Sequence, residues 1–130
     1  MEVPESAYGH IGQEEVVVAT KELTRGRTEE LVREYFSDIP VMAEVARCES
    51  TFRHTLEDGS VLRGVVDSRD TGVMQINTYY HQATADAMEL DLEDFYHNMA
   101  FARDLYERQG TQPWSASRPC WGNSQLAMAN

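Results

Sequence analysis

Glu49 is the residue of this chain whose neighbours best equip it for chemistry. It follows Cys48 at the end of a helical apolar pattern and precedes a stretch that turns at Asp58-Gly59. A carboxyl at a helix end has two fates. In solvent it stays ionised and does little. Buried against apolar groups, its pKa rises and it keeps the proton that a general acid hands to a leaving oxygen, which is what glycoside cleavage requires. Hydrolysis would also need a second carboxylate to activate water. The candidates are Asp58, Asp67 and Asp70, which lie among glycines and charges and read as turn residues. The histidines His10, His54, His81 and His97 match no metal-ligand spacing. The acidic run Asp86, Glu89, Asp91, Glu93 and Asp94 lacks the glycine and spacing of a calcium loop and reads as a solvated helix junction. Neither a metal nor a cofactor is expected.

The elements that would position Glu49 can be read from periodicity. Thr28 is placed to cap a first helix with Glu29 and Glu30 in its first turn, and Leu31, Val32, Tyr35 and Phe36 form its apolar face. Ser37-Asp38 restarts the cap, Pro40 is tolerated in a first turn, and Ile39, Met42, Val45 and Ala46 line a second helix running to about Cys48-Glu49. Asp58-Gly59 between Thr55-Leu56 and Val61-Leu62 predicts a hairpin whose strands are kept short by Gly64 and Gly72. A third helix is predicted over 78–90. Asp91 then caps a fourth, with Phe95, Met99, Ala102 and Tyr106 on its apolar face and Gly110 closing it. Residues 111–122, with Pro113, Pro119 and two tryptophans, read as a loop. The expected fold class is α+β, mostly α, with one small hairpin between helices. Residues 1–26 read as a partly ordered leader, 27–122 as the domain and 123–130 as a tail.

Composition narrows the function classes. A formal net charge of −11, from 11 basic and 22 acidic residues, leaves no basic stripe for nucleic acid or an anionic membrane surface. No apolar run approaches the roughly 20 residues that span a bilayer, so no membrane insertion is expected. The first residues are acidic (Glu2, Glu5) and show no basic and apolar signal-peptide pattern. Cys48 and Cys120 are too few for a disulfide framework and fit no zinc motif, leaving either one bridge or two buried thiols.

One series of motifs goes further. Ala46-Arg47-Cys48-Glu49-Ser50-Thr51-Phe52 is followed by Gly72-Val73-Met74-Gln75-Ile76-Asn77 and then by Asn98-Met99-Ala100 leading a helix. Over roughly residues 40–121 this order resembles the soluble lytic transglycosylase family of the lysozyme superfamily. That family has Glu-Ser at a helix end, then a Gly-Leu-Met-Gln-like segment, then an Asn opening a later helix. Cys-Glu-Ser at the helix end, with a Gly-rich, Trp-containing segment ending in Cys (here Gly110 to Cys120), is also similar to resuscitation-promoting factors.

The resemblance implies a lysozyme-like fold and cleavage of the β-1,4 bond between N-acetylmuramic acid and N-acetylglucosamine in peptidoglycan glycan strands. Glu49 would be the general acid and base, and Ser50, Gln75, Asn77, Tyr80 and Trp114 would contact substrate. It implies a monomer in an extracytoplasmic setting and a Cys48–Cys120 disulfide, since the two cysteines pair in resuscitation-promoting factors. It leaves open a hydrolytic, phage-type lysozyme and a non-catalytic glycan-binding or envelope-assembly domain on the same fold. The chain departs from the family at Pro113-Trp114-Ser115-Ala116-Ser117, where the family has Ala-Tyr-Asn-Ala-Gly. An indole donates a hydrogen bond but accepts none. Either Trp114 stacks on a sugar, or it is core and Tyr79 or Tyr80 supplies the hydroxyl.

Overall fold

The computed structural model describes residues 24–123. The domain is mostly helical with one two-stranded antiparallel hairpin. The leader expected over 1–26 lies outside the described residues up to position 23, as do positions 124–130 of the tail.

Helix α1 spans Arg25–Tyr35 and is capped by Thr24, whose hydroxyl accepts from the Arg27 amide at 3.2 Å. The cap is therefore one turn earlier than Thr28. Thr28 is buried inside the helix and turns its hydroxyl back to the Thr24 carbonyl at 2.9 Å. Val32 and Phe36 are fully buried, as the apolar face predicts, and pack on α2, Pro40–Ser50. Pro40 starts α2 without a side-chain cap: Ile39, not Ser37 or Asp38, is the cap residue. Proline has no N–H to leave unpaired in a first turn. Ile39, Met42, Val45 and Ala46 join the core. Helix α2 ends one residue past Glu49, because Thr51 and Phe52 both take positive φ, 51° and 59°. Such angles are unfavourable for residues with a Cβ and hold only where packing enforces them. Here Phe52 is buried, and the Arg33 guanidinium lies 5.2 Å from its ring centre.

The expected hairpin around Asp58-Gly59 reduces to one bridge, Thr55 to Val61. Its turn does form, with Gly59 at φ 89° and Asp58 accepting from the Ser60 amide at 2.9 Å, but its flanks are largely exposed and bury no face to sustain strands. Regular pairing falls instead on β1, Asp70–Thr71, and β2, Ile76–Asn77, either side of Gly72-Val73-Met74-Gln75.

This β1–β2 turn is buried, so its backbone polar groups need partners from elsewhere. Three side chains supply them. The Val73 amide donates to His54 Nδ1 at 3.0 Å, and the Met74 amide to Asn98 Oδ1 at 2.9 Å. The Met74 carbonyl accepts from Trp114 Nε1 at 2.9 Å. Asn98 Nδ2 also donates to the carbonyls of Thr71 and Leu92. Gly72, at φ 75°, lets these groups close in: a Cβ there would lie 2.6 Å from both Asn98 Nδ2 and His54 Cε1. Neither neighbour can yield without losing its hydrogen bonds. Gly72→Ala is therefore expected to destabilise the domain by about 2–4 kcal/mol, read as a lowered urea midpoint with unchanged slope. An unchanged midpoint would refute this account of the turn.

Helix α3, Thr78–Ala87, is capped by Asn77 and stops short of the predicted residue 90, because Glu89 takes φ 59°. Helix α4, Phe95–Gln109, is capped by Asp94, not Asp91, and Gly110 closes it as expected. Asp91 instead accepts from the Glu93 amide within the preceding turn. Residues 111–122 are not a loop. A 3-10 helix, Gln112–Ser117, leads into a short α5, Arg118–Trp121. Pro113 and Pro119 each sit in a first turn, where proline suits a helix as well as a loop. Both segments pack against α2, and Cys120 of α5 forms a disulfide with Cys48 of α2 (Cα–Cα 6.0 Å). Among the described residues no helix is long and apolar enough to cross a membrane.

Candidate functional site

Glu49 projects from the last turn of α2 into a cleft of about 370 Å³. Asp70 and Asn77 of the hairpin strands, Gln75 of its turn, and Tyr80 and His81 of α3 line this cleft with it. Leu105 and Gln109 of α4, and Pro113, Trp114 and Ala116 of the 3-10 helix, also line it, as does Ile76 of β2. A larger hollow of about 610 Å³ beside the Asp58-Gly59 turn gathers mostly exposed groups, and Asp58 there is held below its ordinary pKa by bonds from Ser60.

The Glu49 carboxyl is half-buried, and this burial raises its pKa above the ordinary glutamate range; the Asp70 charge raises it further. A hydrogen bond from the Ser117 hydroxyl to Oε2, at 2.6 Å, works in the opposite direction. Asp70 is itself pushed up, first by burial and then by Asp67, while a bond from Asn77 Nδ2 at 3.0 Å pulls it down. Asp67 differs: Arg69 and Asn77 bind it and hold it well below the ordinary range. One cleft thus contains two carboxyls raised above their ordinary pKa, with a third, Asp67, tied off beside them and held low. Asp70, read from sequence as a turn residue, is a strand residue of the cleft wall.

The structure distributes the other sequence-derived candidates unevenly. Gln75, at φ 51°, lines the cleft while its amide donates to the Gly72 carbonyl at 2.9 Å. Asn77 lines it too, capping α3 through the Tyr79 amide and holding Asp67 and Asp70. Tyr80 is an exposed wall residue, its ring edge-on to Tyr79 at 4.9 Å. Ser50 is not in the cleft: it is buried, donates to the Ala46 carbonyl and accepts from the Arg53 amide, so it secures the end of α2. Trp114 is core, only 2% exposed, with its N–H committed to Met74, so no ring face is open for stacking on a sugar. Tyr79 lies away from the cleft, with the Arg69 guanidinium 4.8 Å from its ring centre. The acidic run serves local structure: Asp94 caps α4, Glu93 pairs with Arg63 at 2.8 Å, and Asp86 accepts from Gln82.

Sequence reasoning missed Ser117, the residue that touches Glu49. The signal available was indirect. Ser117 stands three positions before Cys120, and Glu49 directly after Cys48, so pairing the cysteines brings the two together.

The fold and site define an α+β domain, mostly helical, with an acid-lined cleft at the end of a helix. In comparisons with known proteins, no family model matches the chain, and neither the curated proteins nor the solved structures yield a match.

Proposed function

We propose that this domain is a lysozyme-like lytic transglycosylase that cleaves peptidoglycan glycan strands between N-acetylmuramic acid and N-acetylglucosamine. The observation carrying the proposal is the half-buried Glu49 carboxyl, raised in pKa, in a cleft that it shares with Gln75, Ile76 and Asn77 of the Gly-Val-Met-Gln-Ile-Asn segment that resembles that family. A carboxyl that keeps its proton protonates the glycosidic oxygen as the bond breaks. The carboxylate left behind then accepts the proton of the muramoyl 6-hydroxyl as that hydroxyl attacks the anomeric carbon. The nucleophile is already tethered to the reacting sugar, so its attack carries little entropic cost. The product is a 1,6-anhydromuramoyl end. The disulfide supports an oxidising, extracytoplasmic place of action.

Asp70 favours a second reading, hydrolysis, because it shares the cleft with Glu49 and is not tied up by an arginine as Asp67 is. Mass analysis of muropeptides released from purified peptidoglycan separates the two. Under the transglycosylase reading, Asp70→Asn loses electrostatic support for the developing positive charge and slows cleavage about 10-fold, with anhydro ends retained. Products heavier by one water throughout, together with abolition of cleavage by Asp70→Asn, would replace transglycosylation with hydrolysis.

A further inference from the structure

We propose that Ser117 is a positioning residue for Glu49, holding Oε2 as a hydrogen-bond acceptor so that Oε1 is the atom that gives and takes the proton. The inference rests on the proposed role of Glu49 and deepens it. The Ser117 hydroxyl lies 2.6 Å from Glu49 Oε2, and Oε1 has no hydrogen-bond partner among the described residues. Ser117 is oriented in its turn: its oxygen accepts from Trp121 Nε1 at 3.0 Å, leaving its own proton for Oε2 or, at 3.1 Å, for the Trp114 carbonyl. A carboxylic acid has one carbonyl oxygen and one hydroxyl oxygen. A donor fixed on Oε2 makes that atom the carbonyl and assigns the transferable proton to Oε1.

The same bond persists through the reaction. Once Oε1 has passed its proton to the leaving oxygen, the Ser117–Oε2 bond becomes charge-assisted and stronger. It then stabilises the carboxylate until Oε1 takes up the proton of the incoming nucleophile. Ser117 thus opposes the burial that raises Glu49 and keeps the group able to release its proton as well as hold it. The titratable groups facing Glu49 are Asp70 of β1 and Tyr80 and His81 of α3. The 3-10 helix adds none, and the Arg118 guanidinium of α5 lies over Trp121 instead, 5.8 Å from its ring centre. From α4, Arg108 bears on His81 and is paired with Asp104, while α1 directs Arg33 at Glu29 and Glu44.

Two measurements on the full chain test the proposal. In glycan-strand cleavage, Ser117→Ala is expected to lower kcat on the order of 10-fold with KM little changed, and to move the alkaline limb of the pH profile upward. Ser117→Thr, which keeps the hydroxyl, is expected to restore both. In a carbon-detected NMR titration, which needs no activity, the Glu49 carboxyl of Ser117→Ala is expected to titrate at higher pH than that of wild type. An unmoved Glu49 titration, or a Ser117→Thr variant as impaired as Ser117→Ala, would overturn the positioning role. A wild-type chain that cleaves no glycan would refute the proposed function, while the titration would still decide the role of Ser117.

Discussion

Replacing Glu49 with Gln is expected to abolish glycan-strand cleavage and, at neutral pH, to raise the melting temperature. Gln keeps the shape and can still accept from Ser117, but it carries no proton to donate. Loss of a general acid costs about 10²–10⁴-fold in rate, so turbidity clearance of cell walls falls to a small residue. The effect on stability follows from burial. Glu49 titrates in the folded state above its unfolded value of roughly 4.3, so the fold favours the protonated form. Below that unfolded value both states are protonated and the carboxyl imposes no penalty. As pH rises through the folded pKa, the fold must accommodate a half-buried charge and stability falls. Gln does not titrate, so the variant escapes that fall, and the two melting curves converge in acid. Activity follows the same titration, declining as pH rises through the folded value because the acid form is lost. Full clearance by Glu49→Gln would remove Glu49 from the mechanism, and equal melting temperatures at neutral pH would show that its burial has no consequence for folding.

The second large effect is expected from opening the Cys48–Cys120 bridge. The bridge joins residues 72 positions apart, and in the chain-entropy model closing such a loop contributes on the order of 4 kcal/mol. Against a typical domain stability of about 5–15 kcal/mol, that is a large share. A Cys48→Ser, Cys120→Ser double variant should therefore unfold at a much lower urea concentration than wild type. The site should suffer too. Ser117 reaches Glu49 from a 3-10 helix, and Trp121 reaches Ser117 from a four-residue α-helix, elements too short to hold their place unaided. Cys120 is exposed and so open to reductant. Incubation with dithiothreitol should slow glycan cleavage before the helices melt, read by following clearance and circular dichroism together. A double variant with the wild-type midpoint and full activity would show that packing alone positions α5 against α2.

The sequence by itself determined the helical character of the domain and the faces its helices bury. Val32 of α1 and Phe36 at its C-cap, Met42, Val45 and Ala46 of α2, and Met99 and Ala102 of α4 are buried where a 3.6-residue period puts them. Such periodicity is local, and so is the stop that Gly110 imposes on α4. It also marked Glu49, through its neighbours Cys48 and Ser50 and the later Gly-Val-Met-Gln-Ile-Asn segment.

Only the tertiary structure decided which of two turn-forming stretches became the regular hairpin. Asp58-Gly59 is the stronger local turn signal, yet its flanks are largely exposed and fully bury no side chain. Gly72-Val73-Met74-Gln75 prevails because His54, Asn98 and Trp114, from three distant segments, satisfy a backbone that would otherwise be buried unpaired. The same holds within the site. Ser117 meets Glu49 across 68 positions, and Asp70 becomes partly buried only when its strand forms part of the cleft wall. Contacts of that range leave no trace in local pattern, because the free energy that selects them comes from burying several segments together, not from the preference of any one.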